Sequence, residues 1–78
     1  MKTIHINQTI QSLVSENPEI KDILFELGFR DIVKPGMIQT VGRFMTLKKG
    51  IEHKNISLET VKNAFKLKDF IIAEENNE

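Results

Sequence analysis

The run Asn17-Pro18-Glu19-Ile20-Lys21-Asp22-Ile23-Leu24-Phe25-Glu26-Leu27-Gly28-Phe29 carries both the start and the stop signals of one helix. Asn17 can accept a hydrogen bond from an otherwise unpaired N–H, Pro18 suits the first helical position, and Gly28 tolerates the left-handed geometry that ends a helix. The expected helix spans residues 18–27. Ile20, Ile23, Leu24 and Leu27 fall at i, i+3, i+4 and i+7, a stripe that must face a core, and Phe29 can fold back over the last turn as the apolar partner of the cap. Phe25 stands about 150° off that stripe, near Lys21 and Asp22, so it is either packed under a loop or a contact for a partner.

Working outward, Thr9 reads as the N-cap of a preceding helix with Ile10, Leu13 and Val14 on one face, and the two helices form a tight hairpin. Residues 30–35 read as a connection, because Pro35 disfavours helical geometry in Lys34. A third helix is expected over residues 36–49. Gly50 is its expected stop, with Lys48 and Lys49 at the end that favours cations, and residues 51–55 are expected to form an ordered loop. Ser57 then caps a fourth helix with Leu58, Val61 and Phe65 buried and Glu59 in its first turn. Ile4-His5-Ile6 and Phe70-Ile71-Ile72 are strand-like ends that can pair. The expected fold is all-α, a compact bundle of about four short helices with a minor pairing of the ends. Residues 1–72 form one helical domain and residues 73–78 a disordered acidic tail.

With 78 residues the chain holds a single core, which removes only about 60% of the unfolded surface from water. The absence of cysteine excludes a disulfide scaffold, thiolate metal sites and thiol redox chemistry. Neither a signal peptide nor a membrane span is found, and the expected location is cytoplasmic. Eleven basic residues balance eleven acidic ones, so no global field draws the chain to nucleic acid or a membrane surface. The charges are uneven along the chain. Glu16, Glu19, Asp22 and Glu26 cluster in the first half, and Arg43, Lys48, Lys49 and Lys54 in the second.

Catalytic and metal constellations are missing from this pattern. His5 and His53 are far apart in sequence, no HExxH occurs, and the glycines do not form a phosphate loop. Ser12 and Ser15 have no neighbouring base, and Ser57 serves as a cap. The reading is therefore not an enzyme, with no cofactor and no bound iron or zinc.

The third helix is unusually apolar. Ile38, Val41 and Met45 form one stripe, and Met37, Thr40, Phe44 and Leu47 a second beside it. Either it is a central helix packed on two sides, with Val41 in the core, or its second stripe is an exposed interaction surface. Gly42 costs about 1 kcal/mol relative to alanine inside a helix, so it marks either a close backbone approach or room for a ligand. The candidate binding surface is Met37, Thr40, Gly42, Arg43, Phe44, Leu47 and Lys48, with Phe25 as a secondary candidate. Phe44 would be its apolar anchor, and Arg43 and Lys48 its rim charges.

Glu26-Leu27-Gly28-Phe29, then Asp31-Ile32, then the run from Pro35-Gly36-Met37-Ile38 through Val41-Gly42-Arg43-Phe44-Met45-Thr46 to Lys48-Lys49-Gly50, resemble a bacterial family of small helical domains of unknown function, the DUF1858 type. That family is in turn similar to the N-terminal domain of di-iron proteins that repair iron–sulfur clusters. Relatives occur beside hemerythrin-like and PAS domains. Some carry cysteines shortly after the glycine matching Gly28, where this chain has Arg30-Asp31-Ile32. The resemblance implies a helical fold and a protein partner of the hemerythrin-like or PAS-containing kind. The leading functional reading is a small non-catalytic cytosolic binding module, and the alternative is a small-molecule or haem-type ligand domain lined by the third helix. Oligomeric state, including a weak homodimer, is left open.

Overall fold

The computed structural model describes residues 1–74. Within them the order is β1 (Lys2–His5), α1 (Ile10–Glu16), α2 (Ile20–Glu26), α3 (Met37–Phe44), α4 (Leu47–Lys54), α5 (Leu58–Lys66) and β2 (Phe70–Ala73). The two ends do pair. β1 and β2 lie parallel with Ile4 opposite Ile72, and the ladder is flanked by bonds from Lys2 N to Asp69 O and from Ile6 N to Ala73 O. Ala73 thus belongs to the sheet rather than to a disordered tail, and Glu74 forms an ion pair with Lys62. Residues 75–78 of the expected tail lie outside the described residues.

Local signals explain most boundaries. Thr9 Oγ1 accepts from Ser12 N and Ser57 Oγ from Thr60 N, so both expected N-caps are in place. α2 ends in a full glycine cap: Gly28 has φ +107°, its N–H donates to Phe25 O, and Phe29 N donates to Leu24 O. Phe29 folds back and is buried. The start of α2 differs from expectation. Asn17 is extended and closes α1 by donating its N–H to Leu13 O, while its Oδ1 accepts from Lys2 Nζ. Pro18 and Glu19 form a turn, and α2 begins at Ile20.

The expected third helix is two helices. Met45 and Thr46 are extended, and Thr46 Oγ1 caps α4 by accepting from Lys49 N. Ile10 N donates to Met45 O, while Leu47 N donates to Gln8 O and Lys48 N to Ile6 O. These bonds fasten the break to the entry of α1, giving partners to groups that a helix start leaves unpaired. Gly50 accordingly lies inside α4 and does not end it. Residues 51–54, expected as a loop, complete that helix, and Asn55 ends it at φ +60°.

The core is drawn from every element: Ile4, Ile10, Leu13, Ile20, Leu24, Phe29, Ile38, Leu47, Val61, Phe65 and Phe70 are all buried. Phe65 meets Phe70 edge-on with ring centroids 6.1 Å apart, which fixes β2 against α5. α3 packs on α1, and the remainder of its surface forms one wall of the candidate site.

Candidate binding surface

Because α3 is only half covered, its residues divide sharply. Ile38 and Gly42 are buried against α1, whereas Met37, Val41 and Phe44, at i, i+4 and i+7, lie on one outward stripe. Phe44 is 75% exposed and Val41 37% exposed. Val41 is therefore not a core residue. Its side chain faces outward because Ile38 and Gly42 already fill the contact with α1, so the two expected stripes of this helix do not both reach the interior.

The stripe borders a cleft of about 150 Å³ between α3, α4 and the α2–α3 connection. Phe29, Ile32, Val41 and Met45 supply much of its apolar lining, and His53 and Lys54 stand on its α4 side. The break at Met45-Thr46 creates this cleft, since it turns α4 away from the line of α3. Gly50 lies in the lining and brings the Phe29 ring against the α4 backbone.

Lys54 lines the cleft, as does Asp31, whereas Arg43 and Lys49 are exposed elsewhere on α3 and α4. Arg43 places its guanidinium carbon 5.5 Å from the centroid of Phe44, a cation–π contact. Among the described residues no ion pair engages Arg43, Lys49 or Lys54, while Lys34 pairs with Asp31 at 3.4 Å.

The expected surface is only partly assembled. Met37, Arg43 and Phe44 share the outward side of α3, and Thr40 is exposed there with its hydroxyl donating toward Gly36 O and Met37 O. Leu47 is fully buried and belongs to the core. Gly42 is also buried, close to the α1 backbone. The Lys48 side chain lies on the other side of α4, on a groove of about 480 Å³ with Ile6, Ile51, Glu52 and Ile56. Phe25 is 44% exposed on α2 and has the Arg30 guanidinium 4.8 Å above its ring. Met45 was placed on the stripe of Ile38 and Val41 and so outside the expected surface, and His53 and Lys54 were missed because the single long helix expected over residues 36–49 left them beyond its end.

Among the described residues no group of three or more His, Asp or Glu side chains gathers at metal-binding distance, and no buried side-chain polar atom lacks a hydrogen bond. No described helix is long and apolar enough to cross a membrane.

Over residues 4–62 the sequence matches the family described as Domain of unknown function (DUF1858). Among solved structures, the fold is similar to the crystal structure of the conserved domain protein from Streptococcus pneumoniae TIGR4, with 25% identity and a TM-score of 0.88 over 97% of this chain and 96% of that one. A search of curated proteins returns no match.

Proposed function

The chain belongs to the DUF1858 family, and on that footing we propose that it is a non-catalytic interaction module whose α3–α4 face takes one apolar side chain of a protein partner. The observation that carries this reading is the cleft of about 150 Å³ lined by Met37 and Val41, on the α3 stripe that continues to the exposed Phe44. An apolar cavity of about that size holds a single benzene ring, whereas sites for whole small molecules occupy about 300–1,000 Å³. A haem-type ligand is therefore poorly matched to α3, and one partner side chain is well matched. Methionines at the lip suit such a socket because the flexible thioether side chain adapts to what it meets.

Phe44 then acts from the protein's side, covering the partner as the partner fills the cleft. Hemerythrin-like and PAS-containing proteins are the partners to test first, on the sequence resemblance. The larger groove at Lys48 is of ligand size and gives a second reading, a small-molecule site there. Immobilised chain and its Phe44→Ala variant, used to capture hemerythrin-like and PAS-domain proteins, separate these readings. Capture by the parent and loss by the variant supports the module. Equal capture by both removes the α3–α4 face from the interaction.

A further inference from the structure

Two of the chain's three methionines line the α3–α4 cleft, Met37 from the first turn of α3 and Met45 from the break before α4. Resting on the docking reading above, we propose that these two thioethers are an oxidation site, and that their conversion to sulfoxides by a hydroperoxide closes the cleft to its apolar occupant. In each such step the O–O bond of hydrogen peroxide breaks, one oxygen bonds to the methionine sulfur, and the other leaves as water with both hydrogens. The sulfur gives up two electrons and the peroxide takes them. The chain has no cysteine, so no thiol of its own competes for the oxidant.

The placement of the two sulfurs gives their oxidation a consequence. Both side chains are half-buried, open to a small oxidant and still in contact with whatever fills the cleft. Met45 Sδ lies against the α4 backbone, 3.4 Å from where a β-carbon on Gly50 would stand, and shares that notch with the Phe29 ring. A thioether is a soft, apolar neighbour in such a place. A sulfoxide carries a polar oxygen, to which Phe29, Ile32 and Val41 offer no side-chain hydrogen bond, and neither does an apolar occupant. The side-chain donors of the lining, His53 and Lys54, are exposed and already solvated. Filling the oxidised cleft therefore strips water from a new acceptor, whereas filling the reduced cleft strips it from a thioether. Met1 supplies the contrast: it is 67% exposed, precedes β1 and borders a separate groove beside α5 and β2, so its oxidation leaves the cleft unchanged.

The test uses the full chain, isotopically labelled for NMR, with N-acetylphenylalanine amide as a single apolar side chain on a neutral backbone, titrated before and after treatment with hydrogen peroxide. Peptide mapping by mass spectrometry should find one added oxygen on each of Met37 and Met45. Affinity for the phenylalanine amide should then fall about tenfold or more, the scale of burying an acceptor without a partner. Treatment with methionine sulfoxide reductases for both sulfoxide epimers should restore it. The double variant Met37→Leu with Met45→Leu keeps the lining apolar and near its original volume, so it should bind as the parent does and lose no affinity to peroxide. An equal loss in that variant would assign the effect to other residues and overturn the proposal. Unchanged affinity in a chain oxidised at both sites would overturn it too, as would peroxide that oxidises Met1 and spares Met37 and Met45; in all three cases the docking reading stands. Collapse of amide dispersion on oxidation would place the effect in the fold rather than in docking, and the proposal fails there as well. If neither the untreated parent nor the variant binds the phenylalanine amide, the docking reading falls and the switch with it.

Discussion

A β-carbon placed on Gly50 would lie 2.7 Å from Phe29 Cε2 and 3.4 Å from Met45 Sδ, so the Phe29 ring occupies the notch that this glycine leaves in α4. The glycine cap of α2 delivers Phe29 to that notch, and the α4 backbone receives it. Helix propensity alone favours alanine over glycine by about 1 kcal/mol, but overpacking a tight core costs about 1–3 kcal/mol. Packing should win. Gly50→Ala is expected to lower the melting temperature, and a rise would mean that the ring moves aside at little cost.

Gly42 gives the opposite expectation from the same kind of geometry. A β-carbon there would meet Gln11 N and Ile38 Cγ2 at 3.5 Å, which is ordinary van der Waals contact. The helices approach closely without excluding a methyl group. Gly42→Ala should therefore stabilise the domain by about 0.5–1 kcal/mol through helix propensity, read as a higher denaturation midpoint. A loss of stability would show that the α1–α3 contact is tighter than these distances.

Thr46 carries the break between α3 and α4. Thr46→Ala removes the hydroxyl that accepts from Lys49 N and should cost about 1 kcal/mol in a chemical unfolding titration. An unchanged midpoint would mean that the bonds of Leu47 and Lys48 to Gln8 and Ile6 define the helix start without the cap.

How far the chain could be read in advance follows from the range of each signal. Thr9, Ser57 and Gly28 act on groups within a few residues, and all three sit where the local pattern places them. The paired ends were legible from Ile4 and Ile6 and from Phe70 and Ile72, whose alternation marks a buried face. The break at Thr46 was not legible, because the carbonyls that compete for the α4 backbone belong to Ile6 and Gln8, distant in sequence. Extending one helix through that point also reversed the reading of Gly50, and it made Leu47 a surface residue although it is fully buried. Phe44 was singled out by residue type and is exposed, whereas the cleft lined by Val41 and Met45 required the turn between α3 and α4.

Leu24 and Val41 provide a paired stability measurement. Leu24 is fully buried, so Leu24→Ala should cost about 2–5 kcal/mol from lost burial and the cavity left behind. Val41 is exposed, and Val41→Ala should change stability by no more than about 0.5 kcal/mol. Equal losses in thermal melts would return Val41 to the core and close the cleft that it borders.

Phe44→Ala separates folding from binding. A side chain that is 75% exposed contributes little to the core, and its removal forfeits mainly the Arg43 contact, worth about 0.5–1 kcal/mol at an exposed site. The melt should therefore shift slightly at most. An aromatic anchor at the centre of a protein interface is worth about 2 kcal/mol or more, so partner affinity should fall at least about thirtyfold. Lys48 supplies the internal control: its side chain lies on the groove on the other side of α4, and Lys48→Glu should leave capture unchanged. A large drop in melting temperature for Phe44→Ala would make the residue structural. A strong effect of Lys48→Glu with none from Phe44→Ala would move the interaction to the other groove.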